Sequence, residues 1–149
     1  MDLSRNFTLD ELVASQTAAR LGLSNAPPAA VVAELRRLAQ TILQPLRDRL
    51  GRPVVVSSGY RSASVNAAVG GALASAHMSG RAADIIVPGL TPLEVCLQIK
   101  AMGLPYHQVI HEFRAWCHVA IAPVGTQPHG ELLTAIRGPV GVYYEQGLV

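Results

Sequence analysis

The longest amphipathic pattern in the chain runs from Ala29 to Leu50. Apolar side chains recur there at the three- and four-residue spacing of one helix face, at Val32, Leu35, Leu38, Ile42, Leu43, Leu46 and Leu50. Gly51 is a typical terminator, and Pro45 lacks the N–H that a continuous helix needs. The pattern therefore predicts a main scaffold helix that ends at Gly51 and is kinked or split near Gln44.

Three shorter helices are predicted from capping signals and periodicity. Thr8 with Glu11 three residues later forms a capping box and starts a short N-terminal helix. The segment Thr91–Glu94 combines a capping threonine, a proline and a glutamate, and starts a helix that runs to about Met102. Residues Ser64–Val69 form the third, which two glycines end.

Four short runs of apolar and β-branched residues predict strands, namely Pro53–Ser57, Arg81–Val87, Tyr106–Glu112 and Trp116–Ile121. The last two are joined by three residues, so we expect a hairpin with histidine in both arms. Beyond Pro123 the chain is rich in glycine and proline, and Glu131–Ile136 fits either a strand or a short helix. We find no repeat or linker, and we expect one domain over residues 1–149, with a core of about 6–122 and a C-terminal extension, 123–149.

Composition narrows the class of protein. Half of the 149 residues are hydrophobic and 15% are charged, which indicates a chain with a packed core rather than a disordered one. The formal net charge of +2 is too small to indicate a nucleic-acid partner. Cys96 and Cys117 lack C-x-x-C spacing, so we expect two reduced, buried thiols.

Targeting signals are absent from the sequence pattern. No apolar run reaches the length of about 18 residues that spans a bilayer. Residues Met1–Asn6 lack a basic segment followed by an apolar stretch, which a secretory signal requires. We therefore expect synthesis in the cytoplasm, and we expect a monomer.

The candidate chemistry centres on Ser75–Asp84 and on a histidine farther along the chain. His77 and Asp84 flank Gly80, which allows the backbone to turn so that the two side chains converge. His118 lies on a separate predicted strand. Catalytic zinc sites use three protein ligands, typically histidine nitrogens and a carboxylate oxygen. Taken alone, a histidine and an aspartate at this spacing are more often a capping residue and a turn residue.

Several further motifs, which occur in a fixed order, favour the metal site over these structural roles. They are Ser57–Ser62, Asn66, Ser75-x-His77-x-x-Gly80-x-Ala82-x-Asp84 and Trp116-x-His118. Together they resemble the zinc D-Ala-D-Ala carboxypeptidase-like peptidases, which include vancomycin-resistance D-Ala-D-Ala dipeptidases and phage L-alanyl-D-glutamate endolysins. The chain is most similar to short bacterial and phage members that open with a phrase like Asn6–Leu12, and the resemblance covers residues 6 to 122. It implies an α+β fold, a small antiparallel sheet with helices packed on it, and zinc-dependent cleavage of peptidoglycan peptides.

The resemblance also implies roles for individual residues. By position, His77, Asp84 and His118 match the metal ligands. Arg61 matches an arginine near the substrate, where it would bind a peptide carboxylate or stabilise an oxyanion. Ser75 matches a serine that contacts substrate or orients His77. Tyr60, which the same turn places beside Arg61, is a further candidate for substrate contact.

The motifs do not directly identify the residue that acts as general base. Several relatives carry an acidic residue three positions before the last ligand, where this chain has Ala115. The nearest acid is Glu112, at the end of the preceding predicted strand, and short members of the family have a glutamate there. We therefore assign Glu112 as base and proton shuttle. His111 should point to the opposite face.

We assign no catalytic role to His107, His129 or Cys117. Cys117 neighbours a predicted ligand, but alternation along the strand turns its side chain to the other face.

Three functions remain open at the level of sequence. The first is a zinc peptidase that cuts peptidoglycan, as an endopeptidase or a carboxypeptidase, after release by a route other than a signal peptide; a phage or prophage endolysin fits this description. The second is a zinc-stabilised, inactive binding module or phage structural module, which the alanine at position 115 motivates. The third is a cytoplasmic dipeptidase that acts on free D-Ala-D-Ala.

Overall fold

The computed structural model of the chain describes residues 1–149. The strands are β1 (Asp2–Ser4), β2 (Phe7–Thr8), β3 (Val55–Ser58), β4 (Ala82–Ile86), β5 (Gln108–Glu112), β6 (Trp116–Ala120), β7 (Glu131–Gly138) and β8 (Gly141–Gln146). The α-helices are α1 (Leu9–Val13), α2 (Gln16–Leu21), α3 (Ala29–Leu38), α4 (Gln44–Leu50), α5 (Ala63–Ala68) and α6 (Pro92–Ala101). None of the helices has the length and apolar character that a bilayer-crossing segment requires.

Six of the strands form one sheet in the order β3-β4-β6-β5-β7-β8, and β1 and β2 form a separate small ribbon. The first four strands in this order, β3, β4, β6 and β5, pair antiparallel with their neighbours. This pairing confirms the predicted α+β class with a small antiparallel sheet. The sheet as a whole is mixed, because β7 lies parallel to β5. The chain between the end of β6 at Ala120 and the start of β7 at Glu131 returns to the start of β5. This connection allows β7 to run parallel to β5.

The scaffold helix is split as predicted, but the break takes a specific form. A π-helical turn at Ala39–Leu43 joins α3 to α4, and the N–H of Gln44 donates to the carbonyl of Ala39. Pro45 follows within the first turn of α4. Because proline has no N–H to donate to the preceding turn, a wider turn before it accommodates the missing hydrogen bond. The helix then ends at Gly51, whose φ is 64°.

The core lies between this scaffold helix and one face of the sheet. It contains 22 buried residues, among them Leu35, Leu38, Ile42 and Leu46 from the helix face that the periodicity identified. Cys96 and Cys117 are free and buried in the same cluster, as predicted. Their burial places Cys117 on the face of β6 opposite the side that carries His118.

An ion-pair network holds α3 against the start of β4. The carboxylate of Glu34 accepts hydrogen bonds from Arg37 at 2.8 Å and from Arg81 at 2.5 Å. Burial opposes ionisation of Glu34, but the two arginines lower the pKa of its carboxyl below the ordinary value. Arg81 precedes the strand that carries Asp84, so the network fixes the entry of that strand.

Glu34→Gln is expected to lower the free energy of unfolding by about 1 kcal/mol at pH 7, because it removes the charge that two arginines share. A carboxyl whose folded-state pKa is lowered contributes stability above its unfolded pKa and loses it as pH falls through the folded pKa. The difference between wild type and Glu34→Gln should therefore shrink below the ordinary glutamate pKa of 4.5. Urea unfolding at pH 7 and pH 3.5 measures it; an equal difference at both values would contradict the assignment.

The C-terminal extension adds two strands to the sheet. Glu131–Ile136 is a strand rather than a helix, and it belongs to β7, which pairs with β8 as a hairpin. Strands β1 and β2 and helix α2 were not predicted. Each is too short for periodicity to identify it, and tertiary contacts hold it in place.

Candidate metal centre

Three elements bring His77, Asp84 and His118 together. Asp84 lies in β4 and His118 in β6, and the ladder between these strands places the two residues directly opposite each other. Side chains at such paired positions lie on the same face of a sheet. His77 reaches that face from a 3₁₀ turn, Ala76–Ser79, immediately before β4.

The 3₁₀ turn depends on the residues at its two ends. The hydroxyl of Ser75 accepts a hydrogen bond from the backbone N–H of His77 at 3.2 Å. Gly80 ends the turn with a φ of 74°, a conformation that favours glycine. A Cβ at Gly80 would also lie 2.8 Å from the carbonyl oxygen of Val31 in the scaffold helix. The turn of the backbone that Gly80 was expected to allow is therefore present.

The three side chains converge on one oxygen. Oδ1 of Asp84 lies 2.9 Å from Nδ1 of His118 and 3.3 Å from Nε2 of His77. Each residue offers one atom that can bind a metal, and these three atoms lie within 4.8 Å of one another. All three residues are buried. Zinc bonds of about 2.0–2.2 Å at tetrahedral angles separate ligand atoms by roughly 3.3–3.6 Å. The observed spacing fits a metal of this size.

The surroundings of His77 also suit a metal ligand. Its Nδ1 lies 2.7 Å from the carbonyl oxygen of Gly59. A carbonyl can only accept, so Nδ1 carries the proton and donates. Nε2 is then unprotonated and faces Asp84. A ligating histidine typically donates its other ring N–H to a backbone carbonyl in this way, because the bond fixes the tautomer and the ring orientation.

Asp84 is held in its ionised form. Burial opposes the charge, but the neighbouring imidazoles of His118 and His77 hold the pKa of its carboxyl well below the usual range. Its second oxygen, Oδ2, accepts from Arg61 at 3.3 Å. A buried, ionised carboxylate between two imidazoles is the donor chemistry that a divalent cation requires.

Arg61 lies beside the candidate metal ligands. Its Nε donates to the hydroxyl of Ser58 at 3.1 Å, and its terminal nitrogen reaches Asp84. The guanidinium is therefore partly engaged in orienting a candidate ligand. Its side chain remains 18% exposed and lines the neighbouring cleft.

Glu112 also reaches the centre. It ends β5, and its carboxylate Oε1 lies 3.7 Å from Nδ1 of His118. Burial raises the pKa of this carboxyl above its ordinary value, while the charge of His118 opposes the increase. Ala115 lies in the tight β5–β6 turn, next to two residues of positive φ, Phe113 and Arg114.

Trp116 lies directly across the ladder from Glu112. Its indole N–H is buried and makes no hydrogen bond of good geometry within the chain, although it lies close enough to Glu112 to oppose the increase in the pKa of that carboxyl. A buried donor without a partner costs free energy unless a ligand or water satisfies it. Trp116 therefore brings an available donor to the same end of the sheet.

The remaining candidates occupy less direct positions. Ser75 orients the turn of His77, as described above. Tyr60 is 7% exposed and belongs to the hydrophobic core, although it also lines the cleft beside the metal centre. His111 points away from Glu112, and its Nδ1 lies 2.8 Å from the main-chain oxygen of Val149. His107 and His129 stack on each other outside the centre, with ring centroids 4.2 Å apart.

A cleft of about 600 Å³ opens beside the metal centre. Asp84, Arg61 and Trp116 line one end of it. Strand β3 lines one side, and the segment Ala14–Thr17, which runs from the end of α1 into the first turn of α2, lines another.

Asn25 holds the second side of the cleft in place, and sequence reasoning missed it. Its side-chain amide donates to the carbonyl oxygens of Val13 and Tyr60, and its side-chain oxygen accepts from the N–H of Ser62. An asparagine before two prolines signals a loop, and nothing local indicates its partners, which lie up to 37 residues away.

Gly59 also helps to attach α1 to the end of β3. The neighbouring N–H of Tyr60 donates to the carbonyl of Leu12 at 2.7 Å, and a Cβ at Gly59 would lie 2.2 Å from that oxygen. Only glycine allows the backbone of α1 to approach β3 so closely.

Gly59→Ala is therefore expected to lower the free energy of unfolding by about 2–3 kcal/mol, because backbone atoms on both sides must move. Gly103→Ala is the matched control: φ is 65° there, but no atom lies within 4 Å of the added carbon, so we expect a cost of about 1 kcal/mol. Thermal or urea unfolding of both variants makes the comparison. Equal stability of Gly59→Ala and wild type would show that the contact is not tight.

Comparison with known proteins identifies one family. The sequence pattern that defines peptidase M15 matches residues 5–120, most of the chain. The match includes all three candidate ligands, Arg61 and Glu112, and it ends before β7 and β8. No curated protein sequence matches the chain.

Proposed function

The chain belongs to the peptidase M15 family, and from that premise we propose that it is a zinc-dependent peptidase acting on peptidoglycan. Peptidases of this family are metal-dependent hydrolases. The finer assignment is that the metal is zinc, held by His77, Asp84 and His118, and that the substrate is a stem peptide or a cross-link of the cell wall.

One observation carries the proposal. Two histidines and an ionised aspartate converge at zinc-ligand spacing, and a carboxylate from a separate strand, Glu112, lies beside them. The aspartate, Asp84, also lines an open cleft. Three ligands of this type leave a position free for water, which distinguishes catalytic from structural zinc sites. A structural zinc would take four protein ligands and would need neither the cleft nor the extra carboxylate.

A bound zinc would supply a Lewis acid and lower the pKa of a coordinated water to about 7. Glu112 would accept a proton at its carboxylate and return it to the leaving amine. Burial raises the pKa of Glu112. A higher pKa suits both steps, because a group that accepts and then donates a proton works best when its pKa is close to the operating pH.

Arg61 and Trp116 would act on the substrate. The exposed part of the Arg61 guanidinium would bind a carboxylate or stabilise the negative charge that develops on the carbonyl oxygen. The buried indole N–H of Trp116, which makes no hydrogen bond of good geometry within the chain, would donate to a substrate carbonyl. Ser75 would act through His77, because its hydroxyl accepts a hydrogen bond from the backbone N–H of that histidine.

Digestion of purified peptidoglycan tests the proposal. The zinc-loaded protein is incubated with wall sacculi and with a synthetic stem pentapeptide that ends in D-Ala-D-Ala, and new termini are located by mass spectrometry. We expect one type of peptide bond to be cut, and we expect a chelator to abolish cleavage. The bond found distinguishes endopeptidase from carboxypeptidase action.

The two other functions give different results in the same experiment. A protein that binds zinc and leaves both substrates intact is a binding module rather than a peptidase. A protein that cuts free D-Ala-D-Ala but neither the pentapeptide nor the wall is a dipeptidase. Either result would overturn the proposed function.

A further inference from the structure

Strand β3 has a hydrogen-bonded neighbour on one side only. It is the first strand of the six-stranded sheet and pairs with β4. Its outer edge therefore presents backbone N–H and C=O groups that no other strand of the sheet uses. Such an edge pairs readily with another extended chain.

The cleft lies along this open edge. All four consecutive residues of β3, Val55–Ser58, line it. Successive side chains of a strand point to opposite faces of the sheet. A cavity that touches every one of them reaches the edge of the strand, and its contacts with Asp84 of β4 and Trp116 of β6 show that it also extends over the face that carries the candidate ligands.

A second segment of the chain lines the cleft. Ala14–Thr17 contributes to the lining, and it follows the segment that Asn25 and the Leu12–Tyr60 hydrogen bond attach to the end of β3. Three residues of an added strand fill about 500 Å³, given strand spacings of about 4.8 Å and 10 Å and a rise of about 3.3 Å per residue. The cleft volume of about 600 Å³ accommodates them.

The edge leads directly to the metal centre. Ser58, the last residue of β3, pairs with Asp84. The register slips between Val56 and Ser58, so Ser57 is an extra residue in a β-bulge, and its hydroxyl donates to the carbonyl of Asp84. Bulges redirect a strand and are common beside active sites. A chain paired with β3 thus has one end at the candidate ligands.

The side chains of the cleft indicate what would bind. Apart from Arg61 and Asp84 at the metal end, none of the lining residues is charged. Val55 and Val69 are 45% and 46% exposed there, and Ala14, Ser15 and Ser57 are small. The surface fits short, apolar side chains such as alanine, on a backbone that supplies its own hydrogen bonds.

We propose that the substrate peptide binds as an added strand on the free edge of β3, with about three residues on one side of the cleaved bond. This inference rests on the proposed function and specifies the surface that recognises the substrate. It assigns Val55–Ser58 and Ala14–Thr17 as the binding site. It also favours stem peptides over free dipeptides, because a dipeptide leaves most of the edge uncovered.

Amide hydrogen exchange tests the added strand. The probe is the synthetic stem pentapeptide, added to zinc-loaded Glu112→Gln protein so that the peptide stays intact. Trp116 is the only tryptophan in the chain and lines the cleft, so its fluorescence reports binding independently. At saturation we expect exchange of outward-facing amides within Val55–Ser58 to slow by about tenfold or more.

Ala14→Phe provides the matched variant, because it fills the cleft from the opposite side at an exposed position. It should weaken pentapeptide binding by at least about tenfold, since the added ring occupies the volume of one substrate residue. Val140→Phe, in the exposed β7–β8 turn, should bind the peptide as the parent protein does. Circular dichroism verifies the folding of both.

The outcomes separate the inference from the function. A change in Trp116 fluorescence with unchanged exchange in β3 overturns the inference and leaves the peptidase function standing. Slowed exchange in β3 together with no cleavage by wild type supports the added strand and refutes the peptidase. A pentapeptide that neither binds nor is cut overturns both.

Discussion

Asp84→Asn is expected to lower kcat/KM for the cleaved peptide by about 10³-fold or more and to reduce bound zinc to a small fraction of one ion per chain. The carboxylate is the only charged ligand of the candidate site, and it sits between both histidines. Its amide counterpart keeps the shape but loses the negative charge that a divalent cation requires. A loss of about 4 kcal/mol of transition-state stabilisation corresponds to this factor.

The measurement combines peptide hydrolysis with metal analysis of the same purified sample. Asp10→Asn is the control, since Asp10 is an exposed aspartate in the first turn of α1. It should retain wild-type zinc content and rate. If Asp84→Asn keeps both a full zinc equivalent and its activity, Asp84 is not a ligand.

Glu112→Gln is expected to reduce kcat by about 10²- to 10⁴-fold while zinc remains bound. Glutamine has the size of glutamate but cannot accept a proton, so the variant removes the proposed base and leaves the ligands in place. The carboxylate lies 3.7 Å from His118, close enough to act at the metal centre. KM should change little, because the substitution affects the chemical step more than binding.

Glu131→Gln is the control for that variant. Glu131 is an exposed glutamate at the start of β7, outside the cleft. Its substitution should leave kcat within about twofold of wild type, as expected for surface changes. A fully active Glu112→Gln protein would refute the assignment and direct the search to another proton acceptor.

Local pattern predicted the framework of the fold well. The scaffold helix, its end at Gly51 and its break near Pro45 follow from hydrophobic spacing and from proline chemistry, which act over a few residues. The type of break could not be predicted, because a kink and a π-helical turn both relieve the missing hydrogen bond.

The candidate site depended on contacts between distant segments. His77 and Asp84 formed a weak pattern alone, and His118 joins them only because β4 and β6 pair in register. A resemblance to known motifs grouped the three residues in advance, but it did not predict the strand pairing. Asn25 and Gly59 carried no such signal, since their importance arises from partners in other elements.

The C-terminal hairpin illustrates a further limit. Strands β7 and β8 lie beyond the residues that the family pattern matches. Every residue of β8 is exposed, so no alternation of buried and exposed positions marks it as a strand. Pairing with β7 along its length stabilises it instead.

The central claim is that one zinc held by His77, Asp84 and His118 is required for peptide hydrolysis. Its most direct test is a titration of metal-free protein with zinc while pentapeptide cleavage is followed by mass spectrometry. We predict no cleavage without metal and a linear rise that reaches its plateau at one zinc per chain. Cleavage that persists in the metal-free protein, or one bound zinc with no cleavage of pentapeptide or wall, would contradict the account.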